Sequence, residues 1–404
     1  MDVNPPRGCL LFEKFSSGIG IALRSGAAPL ALGLRLANRP GIRTYDQIPE
    51  KRWGIRLATK AVLDEIFFAT ELATAPLVAR ADLSRIAQEV ADATHLFQQR
   101  GWFGDPAAYH RTPGRPKSVA TLRARSSFVD YQHLTFESSY EPRIGEPGRE
   151  RWLSYESNHI AHAWLLEHKG APRPWLVCVP GYRMGTPLVD FTGFRARWLH
   201  GALGLNVAIP VMPLHGPRQR GRRGGDGYLT GDFLDTLHAQ AQSVWDVRRL
   251  LAWLRHEKKP QKLAVHGVSL GGYTVALLAS LEKKLDCVIA GVHAADFLRM
   301  IRAMAPDFLL RAAGRVGLVL EEVEQLFAVI SPLAIPPKVP FRSRYLYAGL
   351  DDRLATPDHA FSLWHHWDRP RSVWYQGGHV SYLWEKDVKA LLGEALTDCG
   401  LVSR

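Results

Sequence analysis

The sequence predicts an α/β protein built on a mostly parallel, doubly wound sheet. Three observations carry this. From about residue 128 short apolar strands alternate with longer helices, the pattern of parallel strands joined by right-handed crossovers. A Gly-x-Ser-x-Gly segment, Gly267-Val268-Ser269-Leu270-Gly271, falls between an apolar strand and a helix. An acid and a histidine, Asp352 and His379, then follow the last two strands in turn.

The elements are expected in the following order. Residues 1–127 form a mainly helical N-terminal extension. In it Leu57 to about Leu77 is rich in helix formers, and Ala81–Gln99 places Leu83, Ile86, Val90, Ala93 and Leu96 at helical spacing before a capping Gly101. Residues 128–404 form the second unit. Val129–Glu137 and Trp152–Glu167 read as strands around the Pro/Gly-rich turn Pro142–Gly148. Strands Trp175–Val179, Asn206–Met212, Leu263–His266, Cys287–Val292, Arg344–Ala348 and Ser372–Tyr375 follow. Helices are expected over Phe233–His256, from about Gly272, over Phe297–Leu326, Pro357–Trp367 and Val380–Thr397. The apolar segment 297–337, with Phe297, Met300, Ile301, Phe308, Leu309, Leu310, Val319 and Phe327, fits either a helical lid or ordinary helix packing.

Composition narrows the class. At 404 residues and 46% hydrophobic, the chain can bury a large core and is not disordered. Cys9, Cys178, Cys287 and Cys399 stand singly, so neither a zinc site nor a disulfide framework is expected; a reducing, cytoplasmic setting fits. No signal core precedes the chain's first elements, and the two longest uncharged stretches are broken by Gly and Pro or read as strand, turn and helix, so no transmembrane helix is expected. The net charge is +12, and residues 1–127 hold more than half of that excess. Spread arginines without a nucleic-acid motif speak against nucleic acid. The basic surface and the apolar stretch Ala27–Leu34, flanked by Arg24 and Arg35, leave peripheral contact with anionic membrane open.

The chemistry is concentrated in three places. Ser269 lies in a nucleophile-elbow pattern: a tight turn lifts the hydroxyl clear of the sheet, and small neighbours let strand and helix approach. Asp352, with Asp351 as the alternative, follows strand Arg344–Ala348, and His379 follows strand Ser372–Tyr375, in the order Ser, acid, His. Such a histidine takes the serine proton while the carboxylate fixes its tautomer. The backbone N–H groups of Leu270 and Tyr182 are the expected oxyanion donors. After strand Asn206–Met212 comes Pro213-Leu214-His215-Gly216-Pro217-Arg218-Gln219-Arg220-Gly221-Arg222-Arg223. There Arg218 and His215 are candidate substrate-binding residues, because guanidinium groups hold phosphate or carboxylate in two-pronged contacts; a solvated loop fits equally.

On these motifs, and on Gly377-Gly378-His379-Val380-Ser381 followed by Leu383, residues 128–404 resemble the α/β-hydrolase superfamily. More narrowly they resemble the family of alpha/beta-hydrolase domain-containing protein 18 and its bacterial relatives. The resemblance implies an α/β-hydrolase fold and hydrolysis of an acyl ester, an esterase or lipase-like activity, without a metal or organic cofactor. An acyltransferase or a peptidase would use the same triad, and a non-enzymatic protein binding a membrane or acidic partner is the alternative of a different class. The expected partner is a small-molecule acyl ester, a lipid among the candidates; the substrate and the oligomeric state stay open.

Overall fold

A computed structural model gives the structure of the chain and describes residues 47–52, 57, 60, 64, 80–126, 129–229, 231–305 and 307–403. Most of the expected helix Leu57–Leu77, and the stretch Ala27–Leu34, lie outside the described residues. The first described helix, α1 (Arg80–Gln99), buries Ile86, Val90, Ala93 and Phe97 at helical spacing. Gly101, at a φ of 72°, closes it, and the Trp102 N–H returns to the Phe97 carbonyl at 3.0 Å.

The strands form one nine-stranded sheet in the order β1-β2-β3-β5-β4-β6-β7-β8-β9. β1 (Val119–Ser126), β2 (Val129–Glu137) and β3 (Ile160–Leu166) make an antiparallel meander, and β3 runs antiparallel to β5 (Asn206–Pro210). From there β4 (Trp175–Val179), β6 (Leu263–Val268), β7 (Cys287–Gly291), β8 (Arg344–Gly349) and β9 (Arg371–Tyr375) run parallel with β5. The five central strands β4 to β8 are buried along their whole length, as expected of parallel strands covered on both faces.

Two sequence expectations change here. Trp152–Glu167 is not one strand. Trp152 lies in a short helix, α2 (Arg149–Leu153), where its indole N–H donates to Gln242 Oε1 at 2.8 Å, and the strand begins only at Ile160. The sheet also starts earlier than Val129. β1 pairs residue by residue with β2, so the sheet crosses the boundary expected at residue 127.

Alternation along the strands feeds two cores. Trp175, Val177, Val179, Val265 and Val288 face one side, packed with α4 (Phe233–Trp253) and α5 (Leu270–Leu281). Leu176, Cys178, Ala264 and Ile289 face the other, packed with α3 (Pro187–Gly193) and α10 (Lys386–Asp398). Between β7 and β8 come α6 (Phe297–Met304), α7 (Asp307–Arg315) and α8 (Leu320–Phe327). Phe297 stacks on Tyr273 of α5 at 3.8 Å and 11°, and Val323, Leu326 and Phe327 join the same core. α1 packs on α8 and on α4. Those residues are thus packed into the core; the side chains of Phe308 and Leu309 lie outside the described residues. α9 (Pro357–His366) bridges β8 and β9. No described helix is long and apolar enough to cross a membrane.

Candidate active site

Ser269 stands between β6 and α5 at φ 56°, ψ −119°. A non-glycine residue there is strained, and the surrounding backbone must hold it. The glycines explain how. A Cβ on Gly267 would lie 2.1 Å from the Gly271 carbonyl oxygen, and one on Gly271 would lie 1.9 Å from that of Val179. Strand and helix therefore meet with no side chain between them. The Ser269 N–H donates to the Gly291 carbonyl at 2.9 Å, tying the turn to β7.

His379 follows β9 and reaches both partners. Its Nε2 lies 2.9 Å from Ser269 Oγ, and its Nδ1 lies 2.7 Å from Asp352 Oδ2. A carboxylate at Nδ1 fixes the tautomer: Nδ1–H donates to Asp352, leaving Nε2 to accept from the serine hydroxyl. The second oxygen of Asp352 accepts the N–H groups of Leu354 and Ala355, both at 2.9 Å. Asp351, the alternative acid, turns away and pairs with Lys51, while its N–H donates to the Gly377 carbonyl at 2.9 Å. Ser269, Asp352 and His379 are thus brought together from the ends of three different strands. Burial works against a charged His379, but the Asp352 carboxylate, its hydrogen bond and the Asp64 carboxylate outweigh it and hold the imidazole above its ordinary value of 6.5.

Leu270 is the first residue of α5, where backbone N–H groups have no partner within the helix. Tyr182 follows Gly181, and a Cβ on Gly181 would lie 3.1 Å from Ser269 Cβ. The loop after β4 therefore runs against the elbow. Arg183 lies over the Tyr182 ring at 4.5 Å and pairs with Asp226 at 2.5 Å.

The structure corrects the expectation for Arg218 and His215. Arg218 is fully buried. Its guanidinium donates inward, to the Val211 carbonyl at 3.0 Å, the Asn158 carbonyl at 2.8 Å and Asp246 at 2.9 Å. His215 is also fully buried, with Nδ1 2.8 Å from the Pro213 carbonyl and its ring between Tyr182 and Tyr228. Burial holds it neutral, with a pKa lowered to about 4. Neither can meet a ligand without moving; both fix the loop that backs Tyr182.

One residue at the site carries no sequence signal. Asp64 accepts the backbone N–H groups of His379 and Val380, the latter at 3.1 Å. Among the described residues no cluster of three or more His, Cys, Asp or Glu side chains could hold a metal.

No family model matches the chain. Uncharacterized protein MT2702 of Mycobacterium tuberculosis is 39% identical over 358 residues, 88% of this chain and 86% of that protein. Uncharacterized protein Rv2627c of the same species is 38% identical over the same shares. Among solved structures, acetyl xylan esterase 1 from Thermoanaerobacterium sp. superposes with a TM-score of 0.51 at 15% identity, over 75% of this chain and 93% of that one. An acetyl xylan esterase from Paenibacillus sp. R4 does so with a TM-score of 0.50 at 13% identity, over the same shares. The chain belongs to one family with the two mycobacterial proteins, and its fold is the α/β-hydrolase fold. In an α/β-hydrolase sheet, ligands bind at the carboxyl ends of the parallel strands. Ser269 follows β6, Asp352 follows β8 and His379 follows β9, so all three side chains stand at that end.

Proposed function

We propose that the chain is a serine hydrolase that cleaves carboxylic esters through an acyl-enzyme on Ser269. The observation that carries this is the continuous hydrogen-bond path Ser269–His379–Asp352, 2.9 and 2.7 Å in its two links, behind a strained elbow.

The path prescribes the steps. His379 Nε2 takes the Ser269 proton as Oγ attacks the acyl carbon, and Asp352 steadies the imidazolium. The N–H groups of Leu270 and Tyr182 receive the oxyanion, each such donor contributing on the order of 10²–10³ in rate. The imidazolium then protonates the leaving alkoxide, and the alcohol departs. Water enters, gives a proton to His379 and attacks the acyl-enzyme; Ser269 regains its proton as the acid is released. No step draws on a metal or an organic cofactor.

A fluorophosphonate probe tests the nucleophile. Wild type takes up the label, and Ser269→Ala takes up none; undiminished labelling of that variant sinks the assignment. A panel of p-nitrophenyl esters of increasing acyl length, with added alcohol and amine acceptors, then separates hydrolysis from acyl transfer, which shares the same acyl-enzyme.

A further inference from the structure

We propose that Asp64 is a positioning residue for His379: a second carboxylate, carried on the N-terminal segment, that fixes the histidine loop through its backbone and sets a second negative charge beside the imidazole. The proposal rests on the reading of His379 as general base.

The histidine loop is held from within at a carbonyl: Tyr375 Oη and Ser381 Oγ donate to the Gly378 carbonyl at 2.8 and 3.2 Å. Gly377 and Gly378 precede His379, and glycine leaves the backbone the most freedom to move. The N-terminal segment supplies the acceptor for the loop's next two N–H groups. Asp64 is 1% exposed, with one oxygen on the His379 N–H and the other on the Val380 N–H. Two successive peptide N–H groups closing on one anion make a small backbone nest. Space confirms the fit: a Cβ on Gly378 would lie 2.0 Å from Asp64 Oδ2. Further ties flank this one. Lys60 Nζ donates to the Gln376 carbonyl at 2.9 Å, the Arg52 N–H to Gln376 Oε1 at 2.9 Å, and Gln376 Nε2 to the Glu50 carbonyl at 3.0 Å.

A buried carboxylate is costly unless it is held by hydrogen bonds or an opposite charge. Asp64 has both, since the imidazolium forming at His379 during the reaction is its counter-charge. Among the described residues, the other charged and titratable groups facing this corner are Asp352 on the loop after β8, the Lys51–Asp351 pair, the Lys60–Glu385 pair, and Tyr375 on β9. Burial and the Asp352 charge raise Asp64 to about 6, against His379 and the two N–H groups, which lower it. Asp64 in turn raises His379. A displaced loop would misplace the base, and small misplacements of this kind cost rate steeply.

The test uses the full chain and two variants. Asp64→Asn keeps the shape, removes the charge and leaves a single acceptor oxygen. Asp64→Glu keeps the charge and moves the carboxylate by one methylene. The labelling rate with a fluorophosphonate is followed against pH, with thermal melting as a check on folding. We expect Asp64→Asn to label on the order of tenfold more slowly at neutral pH, with its acid limb moved to lower pH. Asp64→Glu should slow labelling while keeping the limb near its wild-type position. A folded Asp64→Asn with the wild-type limb overturns the proposal, whether or not its rate falls, because a purely structural role lowers the rate without moving the limb. A histidine NMR titration, with His379 assigned through His379→Gln, reads the same charge effect without any reaction. If wild type fails to label, the proposed hydrolase reading fails on its own, and the NMR titration still decides Asp64: an unchanged His379 midpoint in Asp64→Asn overturns the role.

Discussion

Arg218 and Asp246 form an ion pair across 2.9 Å, with the arginine fully buried and the aspartate nearly so. Burial withdraws both charges from water, so each depends on the other. Arg218 also ties the loop after β5 to the Val211 and Asn158 carbonyls. Replacing it by a methionine of similar bulk strands the Asp246 carboxylate, and we expect a loss of about 3–5 kcal/mol in unfolding free energy. Denaturant melts measure it. KM for a phosphate-bearing ester should change no more than KM for a neutral one. A selective KM rise in a variant of unchanged stability would restore a ligand-binding role.

Asp352 and Asp351 adjoin in sequence but point to different partners, His379 and Lys51. Asp352→Asn presents an amide N–H₂ or a lone carbonyl to His379 Nδ1 and disturbs the tautomer that leaves Nε2 free to accept. We expect a loss on the order of 10⁴-fold in turnover with labelling by a fluorophosphonate almost abolished. Asp351→Asn loses only its pairing with Lys51 and should label far faster than Asp352→Asn. Equal losses in the two variants would show that the acid has been misassigned.

The raised His379 sets the pH dependence. Burial alone would lower it, but Asp352, the hydrogen bond and Asp64 hold it above 6.5. On the proposed reading His379 acts as base only when neutral, so activity should be present at high pH and fall as pH drops through the folded-state value. The acid limb of kcat/KM should therefore centre above 6.5 in wild type. It should move down when either neighbouring charge is removed. A wild-type limb centred below 6.5 contradicts the electrostatic argument.

The meeting of Ser269, Asp352 and His379 was legible because each sits at a strand end, where local patterns set both the strand and the turn. Most of the parallel strands were found for the same reason: buried on both faces, they read as continuous apolar runs. β1 was not legible. It is an edge strand, mostly exposed, with Leu122 turned to solvent and Arg123 and Arg125 in its run. Trp152 misled in the opposite direction, since an aromatic residue next to Leu153 looks like strand, but its indole seeks Gln242 on α4. Arg218 looked like a solvent-facing ligand because its partner lies 28 residues on. Asp64 lies 315 residues from the loop it holds. Nothing in the local spacing could join them; only the folded chain brings the two together.

Two glycine substitutions should act with opposite sign. Gly271, in the elbow, has the Val179 carbonyl oxygen 1.9 Å from where a Cβ would stand. Backbone cannot swing aside like a side chain, so Gly271→Ala pushes β4 and α5 apart. We expect a cost of about 1–3 kcal/mol or more, with loss of fluorophosphonate labelling because Ser269 shifts with the turn. Gly393 lies inside α10 and has nothing within 4 Å of an added Cβ. Gly393→Ala reduces the freedom of the unfolded chain and suits the helix, so a gain of about 0.4–1 kcal/mol is expected, with labelling unchanged. Thermal melts of the two variants beside wild type check both signs. A neutral Gly271→Ala with full labelling would mean that the elbow tolerates a methyl where its backbone leaves none.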